Sequence, residues 1–74
     1  MSVLIQKPIY PNLEASLSKN GYTYKILAEI LGVSQAFITR RMKGEVDWSL
    51  KLAIKIAALL GEPVEVLFKT QRKE

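Results

Sequence analysis

Apolar residues recur at helical spacing along most of the chain, and glycines separate the segments that carry them. In the first segment, from Pro11 or Asn12 to Asn20, Leu13 and Leu17 lie one turn apart. A proline fits the first turn of a helix, and Gly21 fits the left-handed position just past its end. The pattern predicts a first helix with one inward-facing side.

A second helix is predicted from Tyr24 to Leu31, and a third from Gln35 to Lys43. Thr23 and Ser34 precede them and are suitable N-cap residues, because a hydroxyl oxygen can accept a hydrogen bond from the first turn of a helix. Only Gly32-Val33-Ser34 separates the two helices. Such a short link makes consecutive helices cross steeply, which is helix-turn-helix geometry.

Two further helices follow the same logic. Asp47 is the expected cap of a fourth helix, Trp48 to Leu60, which Gly61 ends. Pro63 is expected to start a short fifth helix, Val64 to Phe68.

The two ends of the chain lie outside this helical pattern. Residues 1–10 are predicted to form an N-terminal arm, in which Val3-Leu4-Ile5 could be a short strand or a packed tail. Residues 70–74 lack periodicity and are predicted to be a flexible tail. The remainder, residues 11–69, is expected to be one compact all-α domain of five helices.

The periodicity also predicts which apolar residues form the core. The expected core residues are Leu13, Leu17, Ile26, Leu27, Ile30, Val33, Ile38, Ile56, Ala57, Leu60 and Leu67. The fourth helix has more apolar residues than one inward face needs, with Leu50, Leu52, Ile54 and Leu59 in excess. This excess favours an exposed patch used for self-association, either on that helix or with Phe68 and the arm.

Composition restricts the chemistry that the chain can perform. The sequence has 74 residues with no cysteine and no histidine, which removes the usual zinc ligands and the Cys-His and Ser-His nucleophile pairs. We therefore expect no enzyme, no cofactor, no metal and no small-molecule ligand. The chain shows no signal peptide and no apolar run long enough to span a membrane, so we expect a cytoplasmic protein.

The charge of the chain is modest, at +4, but its placement is informative. No acid occurs between Glu29 and Glu45, and Ile38 and Met42 turn one side of the third helix inward. The outward side presents Gln35, Ala36, Thr39, Arg40 and Lys43. Amide, methyl and guanidinium groups of this kind recognise base edges in DNA. The alternative is that the cations of this helix, which include Arg41, only form a solvated face.

The segment from Thr23 to Thr39, TYKILAEILGVSQAFIT, resembles the helix-turn-helix of the Cro/C1 (XRE) repressor family. That pattern has Leu-Ala on the first helix, Gly-Val-Ser in the turn and Ile-Ser or Ile-Thr on the second. Gly44 matches the glycine that closes the recognition helix, and residues 49–68 resemble the family's fourth and fifth helices in order and spacing. The resemblance covers roughly residues 12–68 and implies a lambda-repressor-like fold.

The resemblance also implies roles for individual residues. The expected base-reading residues are Gln35, Ala36, Thr39 and Arg40. The expected phosphate-binding residues are Thr23, Tyr24, Ser34, Phe37, Arg41 and Lys43. Tyr24 stands where the family often has glutamine. Phe37 either touches sugars and thymine methyls or packs over the domain. Trp48 replaces a frequent proline and is expected to anchor the core.

The sequence thus predicts a transcriptional regulator that binds double-stranded operator DNA with sequence specificity. By resemblance it is a Cro-like or phage-type repressor, a nucleoid-associated homodimer of a bacterium or phage. The competing hypothesis is a protein-interaction module, an antirepressor or antitoxin-like adaptor that keeps the helix-turn-helix scaffold. The modest charge, Phe37 on the motif and the apolar surplus leave room for it.

Overall fold

Five α-helices make up the part of the chain that the computed structural model describes, residues 9–70. They are α1 (Pro11–Lys19), α2 (Tyr24–Leu31), α3 (Gln35–Met42), α4 (Leu50–Leu60) and α5 (Val64–Leu67). Within residues 9–70 there is no strand, which confirms the all-α prediction. The strand or packed tail considered for Val3-Leu4-Ile5, and the tail beyond residue 70, lie outside the described residues.

The ends of α2 form as the sequence predicts. The Thr23 side chain accepts a hydrogen bond from the Ile26 amide at 3.1 Å and starts α2. Gly32 ends the helix with φ +74, a left-handed conformation that a residue without Cβ adopts readily. Ser34 then starts α3 by accepting a bond from the Phe37 amide at 3.0 Å. Each of these signals is local, so the sequence alone reveals it.

The predicted start of α4 was wrong by two residues. The helix begins at Leu50, and its N-cap is Ser49, whose hydroxyl accepts a hydrogen bond from the Leu52 amide at 3.2 Å. Trp48 lies before the helix and packs edge-to-face on Phe68, with ring centroids 5.7 Å apart. Trp48 is partly buried against the core there, as expected of an anchor. Asp47 precedes Trp48 and is therefore too far from the first turn of α4 to cap it.

All five helices contribute to one core. The largest fully buried side chains are Leu13, Leu17, Leu27, Ile38, Met42, Ile56 and Leu67. Two predicted core residues are instead exposed, Ile26 at 39% and Ile30 at 51%. The buried side of α2 runs through Leu27 and Ala28, so these two isoleucines, one turn apart, lie on the adjoining face. Val33 and Leu60 are partly buried against the core.

The apolar surplus of α4 divides between the core and the surface. Leu59 packs partly against the core, whereas Leu50 and Ile54 are 71% and 53% exposed. These two exposed residues lie one helical turn apart on the same side of α4. Two of the four surplus residues, Leu50 and Ile54, are therefore exposed, and the use of this surface for self-association stays a prediction.

Polar contacts join α1 to the far end of the chain. The buried Ser16 hydroxyl donates to the Glu62 carboxylate at 2.7 Å. The Asn12 side-chain amide donates to the Val66 carbonyl at 2.9 Å. These bonds hold the α4–α5 corner against α1.

Candidate nucleic-acid interface

The turn between α2 and α3 fixes the direction of α3. The Val33 amide donates to the Ala28 carbonyl at 2.9 Å, and the Gly32 amide donates to the Glu29 carbonyl at 3.3 Å. On the inner side of the corner, Leu27 and Ile38 are completely buried. The backbone turn and the packed pair make the two helices a rigid unit, so the outer face of α3 is held in one orientation.

Of the four residues expected to read bases, Ala36, Thr39 and Arg40 lie away from the buried Ile38 and Met42, and Gln35 is the first residue of α3, at its N-terminal tip. The exposed residues among them are Gln35, Ala36 and Arg40, and Thr39 is half-buried. In this face a hydrogen-bonding amide, small apolar groups and a cation stand at successive turns of one helix. Amide, methyl and guanidinium groups are the kinds of group that recognise base edges in the major groove.

The Thr39 hydroxyl has a partner within its own helix. It donates to the Gln35 carbonyl at 3.1 Å, one turn earlier. This back-bonding directs the hydroxyl to the backbone. The methyl is therefore the group that Thr39 offers to a ligand.

Arg40 forms an ion pair that the sequence pattern did not indicate. Its Nε lies 3.6 Å from a carboxylate oxygen of Glu45, and the two side chains are 62% and 55% exposed. Exposed pairs of this kind contribute little, roughly 0–1 kcal/mol, because water screens both charges. Arg40 can leave Glu45 for a stronger acceptor at small cost.

Arg41 folds back onto its own helix. Its guanidinium carbon lies 3.4 Å from the ring centroid of Phe37, and its Nη1 donates to the Phe37 carbonyl at 3.3 Å. Arg41 Nε is buried without a hydrogen-bond partner among residues 9–70. Of the two interpretations of Phe37, the structure has the ring packing partly against the core and under Arg41. Lys43, at the C-cap of α3, remains exposed.

Thr23 and Ser34 are exposed at the N-termini of α2 and α3. Each side-chain oxygen accepts the capping bond from the helix, as described above. A hydroxyl that accepts in this way still has its own proton to donate. The proton stands beside amides of the first turn, where the helix dipole favours an anion.

Tyr24, the first residue of α2, is turned toward α1. Its hydroxyl donates to the Glu14 carboxylate at 2.5 Å. Burial, followed by this hydrogen bond and the negative charge of Glu14, raises the pKa of Tyr24 well above its usual range. The single hydroxyl proton is held by Glu14, so a phosphate contact from Tyr24 requires that bond to break.

Two acidic residues next to the expected interface were thus missed. Glu45 follows Arg40 by five positions, just after Gly44. This short separation in sequence could have predicted the ion pair. Glu14 and Tyr24 are ten positions apart on different helices, and no local pattern connects them. Among residues 9–70 there is no cluster of three or more His, Cys, Asp or Glu side chains that could hold a metal ion. None of the helices in this range is long and apolar enough to cross a membrane.

The geometry agrees with two comparisons with known proteins. Residues 15–67, most of the chain, match the model of the family described as helix-turn-helix. A stretch of 46 residues is 48% identical to an uncharacterized HTH-type transcriptional regulator of Methanocaldococcus jannaschii. That stretch covers 62% of this chain and 70% of the archaeal protein.

Proposed function

The chain belongs to the helix-turn-helix family of the Cro/C1 type, and from this we propose that it is a transcriptional regulator that binds double-stranded DNA with sequence specificity. The observation that carries the proposal is the outer face of α3. Its amide, methyl and guanidinium groups are exposed side by side, while the inner face is locked into the core. A face held so rigidly can discriminate between bases at low entropic cost.

In this proposal α3 enters the major groove. Gln35 makes a bidentate contact with adenine, and Arg40 leaves Glu45 to contact guanine. Ala36 and the Thr39 methyl pack against thymine methyl groups, because the Thr39 hydroxyl is bonded to its own helix. The site then combines two hydrogen-bonding positions with two apolar ones.

Phosphates are held around this reading face. Thr23 and Ser34 donate their hydroxyl protons at the N-termini of α2 and α3, and Lys43 supplies a cation at the opposite end of α3. Tyr24 joins them only by leaving Glu14, and Arg41 only by breaking its hydrogen bond to the Phe37 carbonyl while its guanidinium stays on the Phe37 ring. Phe37 supports the contact through its ring, which packs beneath Arg41.

We further propose that the protein acts as a homodimeric repressor of the Cro-like or phage type. A two-fold dimer binds two half-sites about 34–36 Å apart, which a near-palindromic operator supplies. The exposed Ile54 on α4 supports self-association, because association of two subunits would remove its apolar surface from water.

Selection from random DNA duplexes, followed by gel-shift titration between 50 and 200 mM salt, tests the proposal. We expect an enriched half-site, repeated in inverted orientation, and an affinity that falls steeply with salt because bound cations release counterions. The protein-interaction hypothesis predicts the opposite result. No shift at micromolar protein and no enriched sequence, together with a partner protein recovered by pull-down, would favour an adaptor.

A further inference from the structure

A cleft with aromatic walls lies beside the start of α4. Phe68 stands between Tyr10 and Trp48, with ring centroids 5.9 and 5.7 Å away and both rings edge-to-face. Leu50 and Ala53 line the same cleft from α4. Leu50 is 71% exposed, and the remaining lining residues, Asp47, Ser49 and Thr70, are polar or charged. The aromatic rings and Leu50 therefore form an apolar part of the cleft that the helices leave uncovered.

The described chain begins at Ile9, one residue before the cleft, and the Ile9 amide donates to the Met42 carbonyl at 3.2 Å. Tyr10 lines the cleft, and Ile9 packs partly against the core just before. The eight residues that precede Ile9 include the apolar run Val3-Leu4-Ile5. From Ile9 back to Ile5 an extended chain spans up to about 14 Å, and back to Val3 about 21 Å, so the apolar run can reach a cleft that the neighbouring Tyr10 lines.

The other end of the chain also passes this cleft but cannot fill it. Thr70 lines the cleft, and the residues after it, Gln71-Arg72-Lys73-Glu74, are all polar or charged. Burying such side chains against aromatic rings would cost free energy, whereas burying the arm's three apolar residues is favourable. The composition of the two ends therefore selects the arm as the occupant.

We propose that Val3-Leu4-Ile5 of the same chain docks in the cleft formed by Tyr10, Trp48, Leu50, Ala53 and Phe68. The docked arm covers Leu50 and leaves Ile54, which does not line the cleft, exposed on α4 for the proposed self-association. The cleft includes none of the four proposed base-reading residues. A test can therefore show that the arm does not dock although the protein binds DNA, or that the arm docks although the protein does not bind DNA.

Disulfide trapping in the full-length protein tests which chain fills the cleft. The sequence contains no cysteine, so any pair introduced is the only pair present. Each of V3C, L4C and I5C is combined with L50C and oxidised. We expect at least one combination to form an intrachain disulfide in high yield, seen as a monomer on a non-reducing gel. The matched control pairs the same arm cysteine with I30C, an exposed apolar position outside the cleft, and should remain reduced.

Trp48 supplies a second readout, because it is the only tryptophan of the chain and lines the cleft. Leu4→Asp should shift its emission to longer wavelength and increase quenching by acrylamide, independently of protein concentration. Ser2→Asp, which adds the same charge without removing an apolar residue, should change neither. Equal Trp48 spectra for both variants would overturn the proposal. Disulfide-linked dimers, or a concentration-dependent shift, would overturn it in favour of a second copy's arm.

Discussion

The Tyr24 hydroxyl bonds the Glu14 carboxylate at 2.5 Å, and this contact joins the first residue of α2 to α1. It places a negative charge within reach of a helix N-terminus, where anions are favoured. The bond therefore stabilises the entry to the helix-turn-helix while it occupies the tyrosine proton that a phosphate would use. If Tyr24 binds a phosphate as proposed, the same bond lowers DNA affinity while it stabilises the fold.

The first prediction concerns alkaline pH. Because the pKa of Tyr24 is raised in the folded state, folding favours the protonated hydroxyl. The stabilisation is complete below the unfolded pKa of about 10 and is lost as the pH rises beyond it. Urea unfolding between pH 8 and 11.5 should show this alkaline decline, and Tyr24→Phe should reduce it. At neutral pH, Tyr24→Phe should cost about 1 kcal/mol, since Glu14 loses its donor.

Tyr22→Phe is the matched control, because Tyr22 lines the same surface pocket as Tyr24 and Glu14. Its unfolding curve should keep the alkaline decline of the unmodified protein. If the decline were the same for Tyr24→Phe and Tyr22→Phe, the Glu14 bond would have no role in the pH dependence.

A second prediction distinguishes the two candidate caps of α4. Ser49→Ala should lower the free energy of unfolding by about 1 kcal/mol, because it removes the acceptor of the Leu52 amide. Asp47→Ala should change it by less than about 0.5 kcal/mol, as for an exposed residue outside such features. Chemical denaturation of the two variants measures both values. A larger loss for Asp47→Ala would restore the cap that the sequence suggested.

The ends of the helices show which features the sequence could predict and which it could not. Thr23, Gly32 and Ser34 act through bonds within a few residues, so the ends of α2 and the start of α3 were predictable. The start of α4 was not, because Asp47 and Ser49 are both good capping residues. The packing of distant Phe68 on Trp48 decides between them.

The candidate interface shows the same division. The outer face of α3 follows from helical periodicity, and three of its four expected residues indeed lie away from the core, with Gln35 at the N-terminal tip. Periodicity could not tell which side of α2 is buried, because that short helix has apolar residues on more than one face. The partners of Tyr24 and Arg41 depend on side-chain directions, and these appear only once the helices are packed.

The third prediction concerns the Thr39 methyl. Because the hydroxyl donates to the Gln35 carbonyl, Thr39→Val keeps the proposed contact group, whereas Thr39→Ser removes it. In gel-shift titrations on the selected site, Thr39→Val should bind within about twofold of the parent protein. Thr39→Ser should lose about 0.8 kcal/mol, the value of one buried methyl-sized group. The reverse order would mean that the hydroxyl leaves the helix to contact DNA.

The last prediction separates base reading from phosphate binding on α3. Arg40 and Lys43 are both exposed cations of this helix, so each serves as the charge-matched control for the other. Arg40→Ala should cost about 1–3 kcal/mol on the selected site and relax specificity at one position. Lys43→Ala should weaken selected and random DNA alike and reduce the slope of log affinity against log salt by about 1. Because Arg40 also carries a charge, its loss lowers that slope too, and the discriminating quantity is the ratio of specific to random affinity. Equal losses on both DNAs for Arg40→Ala would show that Arg40 holds the backbone, and the guanine contact would have to be assigned elsewhere on α3.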